Sequence, residues 1–133
     1  MSASASLALQ RGLHAALTGD AGVMAVLSGV FDAVPPGAVL PYATIGTDVV
    51  TDWSRKDSDG REHRFQVSIW DGSAGTSGLK AAMAAVEAAV VAMPVVLDGW
   101  RIVGLRFLRG FVVRDADGPA QGVVEFRART VVT

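Results

Sequence analysis

The sequence predicts an α+β fold, with a mainly antiparallel sheet of four to five strands packed against a central helix and with helices at the N-terminus. Three observations carry this. Between Tyr42 and Trp70 apolar residues alternate in two runs around a charged, turn-rich tip, the pattern of a β-hairpin. Between Leu79 and Met93 they recur every three or four residues, the period of a helix with one buried stripe. From Trp100 onward the alternation returns, again in two runs around an Asp-Gly turn.

Each element has its own signals. Leu9, Leu13 and Leu17 fall on one face of a helix spanning Ser4 to Thr18, with Leu7 on another side, free to meet a partner. Gly19 stops that helix. Asp20 can cap a second, short one, its carboxylate accepting from freed amides. Val23, Val26 and Leu27 give the short helix an apolar face, and Gly29 suits a left-handed end. Phe31 to Val34 is expected as a brief strand before the Pro35-Pro36-Gly37 break.

In the first hairpin the alternation puts Ala43, Ile45, Thr47, Val49, Thr51 and Trp53 on one face and Thr44, Asp48 and Asp52 on the other. Its tip, Ser54 to Gly60, carries Arg55 and Lys56. The return strand turns Phe65, Val67 and Ile69 inward and Glu62, Arg64, Gln66 and Ser68 outward. Trp70 shares the outward face, which makes it the aromatic expected at an interface. The helix then buries Leu79, Met83, Val86, Val90 and Met93 and leaves faces of alanine, with Lys80 and Glu87 its charges, before Pro94 ends it. In the second hairpin Val103, Leu105, Phe107, Phe111 and Val113 are read on one side, and Ile102 and Leu108 on the other with Arg106 and Arg114. Val124, Phe126, Ala128 and Val132 are read inward, with Glu125, Arg127 and Arg129 outward.

Composition narrows the function. The 133 residues suit a single domain over 1–133. Without cysteine there are neither disulfides nor thiolate ligands. A net charge of −1 argues against a dedicated nucleic-acid binder, which needs a basic excess to neutralise phosphates. Half of the residues are hydrophobic and only 19% are charged, against a usual ~25%. No run is long enough to span a bilayer, since Glu87 and Pro94 interrupt the best one, and the N-terminus lacks a secretory signal. The chain therefore reads as cytoplasmic in origin with no membrane partner. Its apolar excess points to subunit contacts, because obligate interfaces resemble a core cut in half.

Chemistry is hard to find. Asp57-Ser-Asp59-Gly60 and Asp115-Ala-Asp117-Gly118 superficially suggest calcium, but position twelve of each loop is Ser68 or Phe126 where an EF-hand needs Glu. His14 and His63 are far apart and cannot form a zinc set, and His63 reads as a solvated strand residue. No Gly-x-Ser-x-Gly elbow supports a hydrolase. The Gly72 to Gly78 loop lacks the Gly-Lys of a Walker sequence and reads as a flexible connection able to dock a neighbour. No catalytic residue, metal ligand or cofactor is expected. Arg106, Arg109, Arg114, Arg127 and Arg129 give the second hairpin a basic character suited to charge matching with an adjoining protein. With Leu7, Trp53, Arg55, Lys56, Arg61, Arg64 and Trp70 they are the candidate interface residues.

The order helix, short helix, hairpin, Trp70-Asp71, Ala-rich helix, hairpin resembles the tail terminator, or tail completion, family of long-tailed phages and gene transfer agents. The residues carrying the resemblance are Leu9 to Leu17, Asp20 to Leu27, Pro41 to Ile45, His63 to Asp71 and Leu79 to Val90, within a span from about Ala5 to Arg129. The resemblance implies a virion structural protein without enzymatic activity. It implies a hexameric ring that caps the tail tube protein and offers its other side to the head-side connector; if the Arg55-Lys56 or Arg114 tips face a channel that passes DNA, they would act as nonspecific phosphate contacts. Its subunits are made in the bacterial cytoplasm and incorporated at the head–tail junction. Alternatives are a head-side stopper or adaptor of the same particle and, in a different class, a small-molecule-binding or hydrolytic α+β domain.

Overall fold

A computed structural model describes residues 3–133, apart from the side chain of residue 47. Met1, Ser2 and the Thr47 side chain, which entered the reading of the N-terminus and of the first hairpin, lie outside the described part.

The first helix, α1 (Ala5–Thr18), starts where the Ser4 hydroxyl accepts from the Leu7 amide and ends at Gly19. Its buried stripe is the expected Leu9, Leu13 and Leu17, joined by Ala5 and Ala8. Asp20 caps α2 (Ala21–Met24) by accepting from the Val23 amide at 3.0 Å, as its sequence position predicts. This helix is shorter than the sequence suggests, so Val26 lies beyond it and is exposed. Gly29 is not left-handed. The Phe31 ring occupies the space that a side chain there would need. The short strand β1 comprises Val30–Phe31, one residue earlier than Phe31 to Val34 and half as long.

The first hairpin is β2 (Tyr42–Asp52) with β3 (Gly60–Asp71), and the second is β4 (Trp100–Val113) with β5 (Ala120–Val132). The five-stranded sheet runs β1-β2-β3-β5-β4. Only β1 is parallel to its neighbour, and it touches β2 just at Ala43 and Thr44. The centre of the sheet is the long β3–β5 ladder, which joins the hairpins. Helix α3 (Ser77–Val91) lies with α1 on one side of this sheet.

Their shared core contains Ile45, Phe65, Val67, Ile69, Val124, Phe126 and Ala128 from the strands, and Leu9, Leu13, Val86 and Val90 from the helices. Phe65 stacks on Phe126 at 5.3 Å, and Phe107 meets Phe126 edge-on at 6.2 Å. Helix α3 comes down close to the sheet at Gly122, where a side chain would lie within 3 Å of Met83 Sδ and Leu79 Cδ1. Ala81, Ala84, Ala88 and Val91 remain exposed on its far side.

Three bulges correct the simple alternation. Register shifts between Gly46 and Val49 in β2, and between Ile102 and Gly104 and between Phe107 and Arg109 in β4. Each extra residue reverses which face the following side chains occupy. Val49 and Thr51 therefore join the side away from the helices, opposite Arg64 and Glu62, instead of continuing the inward face of Ala43 and Ile45. Trp53 follows them, its ring beside Arg129. In β4, Ile102, Leu105 and Phe107 share the helix side, opposite Thr130, Ala128 and Phe126, whereas Phe111 and Val113 face away with Val123 and Gln121. Val103 and Val132 are exposed.

Candidate functional site: the open sheet face and its edges

Among the described residues, no helix or strand lies over the side of the sheet away from α1 and α3. Cross-strand partners share a face, so the register assembles it from Val49 and Thr51 of β2, Glu62, Arg64, Gln66, Ser68 and Trp70 of β3, Gln121, Val123, Glu125, Arg127 and Arg129 of β5, and Arg106, Arg109, Phe111 and Val113 of β4. Arg129 Nε donates to Glu62 Oε1 at 3.0 Å, and Arg127 Nε lies 3.9 Å from the same oxygen. Arg109 holds Glu125 through two nitrogens, at 2.8 and 3.2 Å, while its guanidinium lies 4.8 Å from the Phe111 ring centre. Arg129 sits 5.0 Å from the Trp53 ring centre. These contacts hold the long side chains in a defined pattern. Because they are partly solvated, they supply register more than stability. Trp70 Nε1 donates to Thr44 Oγ1 at 3.2 Å, and Gln121 Nε2 to Ser68 Oγ at 3.0 Å. A shallow dip of about 150 Å³ lies between Val49, Arg64, Gln66, Leu108 and Glu125.

The predicted interface residues thus separate into groups. Trp53, Arg64, Trp70, Arg106, Arg109, Arg127 and Arg129 come together on the open face. Arg55 and Lys56 are exposed at the β2–β3 tip, with Arg55 5.5 Å from the Trp53 ring centre. Arg61 belongs to the helix side at that end, 5.8 Å from the Trp100 ring centre and 3.4 Å from Asp52. Arg114 is at the opposite end, where its Nη2 donates to the Ala74 carbonyl at 2.9 Å. Leu7 is 39% exposed on α1, in the helix layer. The Gly72 to Gly78 loop is tied at two points rather than left free, by Arg114 and by Asp71, which accepts from both the Ser73 amide and hydroxyl. The Asp115 carboxylate accepts from the Asp117 amide at 3.0 Å, which makes that tip a turn. Among the described residues no group of three or more His, Cys, Asp or Glu could hold a metal.

His63 departs most from the sequence reading: it is fully buried, not solvated. Its Nε2 is 2.9 Å from Thr130 Oγ1, and its Nδ1 faces Asp48 Oδ1 at 3.8 Å, while Ser6 Oγ donates to the other Asp48 oxygen. The signal was present in the strand, because His63 alternates in phase with Phe65, Val67 and Ile69. The order Thr130–His63–Asp48 imitates a nucleophile, base and acid, yet Thr130 is fully buried and out of reach of any substrate. The network instead joins the N-terminal turn of α1 to the β2 bulge and to β5. Burial opposes ionisation of Asp48, but the His63 ring and the Ser6 hydroxyl together outweigh it and hold its pKa below the ordinary value. A depressed carboxyl contributes stability that is present above its unfolded pKa and is lost as pH falls through the folded one. Asp48→Asn is therefore expected to flatten part of the stability loss below about pH 4. Urea unfolding of both proteins across that range checks it, and parallel pH profiles would refute it.

Both sheet edges are largely bare. Beyond Thr44, no strand among the described residues pairs with the outer edge of β2. Its edge borders a groove lined by Ser6, Gln10, Asp32, Ile45, Gly46 and Asp48, which continues between α1 and β1 into an open hollow of about 420 Å³ beside Arg11, His14 and Phe31. At the other edge the segment after Pro94 accompanies β4 only to Ile102, whose amide donates to the Val95 carbonyl.

The fold and this surface define a small α+β protein whose developed features are a face and two edges. The family model described as tail completion protein gp17 matches residues 11–131, and the chain belongs to that family. A chain in the solved structure of the virion of a native gene transfer agent particle is similar over 98% of this chain and 99% of its own, with 36% identity and a TM-score of 0.87. The gp17 protein of bacteriophage SPP1 is similar in fold over 93% of this chain and 89% of its own, with a TM-score of 0.65 at 22% identity. A comparison with curated proteins finds no match.

Proposed function

We propose that the chain, acting as a single unit over residues 1–133, is the subunit of a hexameric ring that caps the tail tube of a phage or gene transfer agent and joins it to the head-side connector. The observation carrying this reading is the end-to-end likeness to a chain of a gene transfer agent virion, with neither sequence missing a substantial part of the other. In this reading the protein is made in the bacterial cytoplasm, is incorporated at the head–tail junction and has no enzymatic role. The open face fits it, since an uncovered sheet carrying Trp53, Trp70, Phe111 and five arginines against two glutamates suits protein contact. The small-molecule alternative needs an enclosing pocket, whereas the hollow of about 420 Å³ beside Arg11, His14 and Phe31 is a groove open to solvent.

Electron microscopy of the purified protein, alone and mixed with polymerised tail-tube protein, tests the reading. Rings of uniform symmetry, free or on tube ends, are expected. Protein that stays monomeric in both conditions overturns it. DNA passing through such a ring would meet nonspecific phosphate contacts from Arg55 and Lys56. Arg55→Ala with Lys56→Ala should then lower DNA delivery while leaving particle assembly intact, and unchanged delivery would remove these residues from that role.

A further inference from the structure

We propose that neighbouring copies join edge to edge, β4 of one protomer pairing antiparallel with the free part of β2 of the next. This rests on the ring reading and specifies how the ring closes. A cyclic assembly needs two different surfaces on each copy that fit one another, and the two sheet edges meet that requirement in four ways.

First, direction is compatible. Strands β2, β3, β5 and β4 alternate up and down, so a second copy placed in the same orientation beside β4 presents its β2 in the opposite sense. Second, the bare segments stand at the same height. Following partners across the sheet, Val49 leads through Arg64 and Arg127 to Arg106, Val50 through His63 and Ala128 to Leu105, and Thr51 through Glu62 and Arg129 to Gly104. These are the regular stretches between the bulges, so the next copy can be added without an axial step, as a flat ring requires. Faces agree as well, with Val49 and Arg106 on the open side and Val50 and Leu105 on the helix side.

Third, the edges are opposite in charge. Strand β4 carries Arg101, Arg106 and Arg109 and no acid, whereas β2 carries Asp48 and Asp52 and no base. Fourth, both edges leave apolar side chains in water, Val49 and Val50 on one and Val103 and Phe107 on the other. Unpaired strand edges are ready templates for pairing, and the bulges here restrict that pairing to one matched pair of segments.

The absence of cysteine makes the test direct. In Val49→Cys/Arg106→Cys the two thiols of one chain lie three strand spacings apart, roughly 14 Å, beyond the ~7 Å that a disulfide can bridge. Mild oxidation should therefore give a ladder of covalent multimers ending in one closed species, while Val49→Cys/Val91→Cys, with one thiol on α3, gives no such closed ladder. Independently, Arg106→Glu should dissolve the oligomer and adding Val49→Arg should restore it. Rings that persist by microscopy without cross-linking in the first variant, and that are indifferent to Arg106→Glu, overturn the edge pairing but leave the ring standing. Monomers alone and on tubes overturn both.

Discussion

Phe126→Ala is expected to lower stability by about 3–5 kcal/mol, a large part of the ~5–15 kcal/mol that holds a domain of this kind together. Phe126 is fully buried and stacks on Phe65 while receiving the edge of Phe107. It thus links the middle strands to β4, and its loss opens a cavity against both. Urea unfolding should show a lower midpoint with little change in slope. Phe126→Leu, which keeps most of the volume, should cost much less. A loss below about 1 kcal/mol for the alanine variant would mean that the neighbouring rings collapse into the space, contrary to the close packing expected of protein cores.

The next largest effect is expected at Gly60. A side chain there would press against the carbonyl group of Trp53, to whose amide Gly60 also supplies its own carbonyl oxygen at 2.9 Å. A flexible side chain can turn aside from such a clash, but backbone cannot. Gly60→Ala should cost about 1–3 kcal/mol and should act locally, loosening the tip and separating Trp53 from Arg129. Faster trypsin cleavage at Arg55 and Lys56, with the rest of the chain protected, is the expected signature. Unchanged cleavage together with an unchanged melting temperature would show that the tip accommodates the methyl group.

Much of this architecture was legible because its signals are local. The Leu9–Leu13–Leu17 stripe, the Asp20 cap, the two hairpins and the Ala-rich helix, which stops at Val91 just short of Pro94, each depend on residues close in sequence. The bulges were not legible, since an extra residue in β2 or β4 changes no composition and leaves no turn signal. That is why simple alternation puts Val49, Thr51 and Trp53 on the same face as Ala43 and Ile45, and Phe111 and Val113 on the same side as Leu105 and Phe107. The burial of His63 is hidden for another reason: its polarity argues against its position in an inward-facing row, because Thr130, the partner that makes burial tolerable, lies 67 residues away. Of the open face, the outward arginines of β3 and β5 and Trp70 were visible by alternation. Their assembly into one charge ladder was not, because it depends on β5 inserting between β3 and β4.

That insertion also orders the events of folding. Each hairpin closes over a short turn, whereas the central ladder runs from Asp71 with Ala120 to Gly60 with Val131, with α3 in the chain between the two strands. Entropy of closing so long a loop delays non-local pairing. The hairpins are thus expected to form early and to join late. In the interval the inner edges of β3 and β5 are exposed as well as the outer edges of β2 and β4. A nascent chain is then most exposed to mispairing just before its two halves meet. Crowded synthesis of many identical copies increases that exposure, so the yield of native subunit should fall with concentration during refolding even where the folded protein itself is stable.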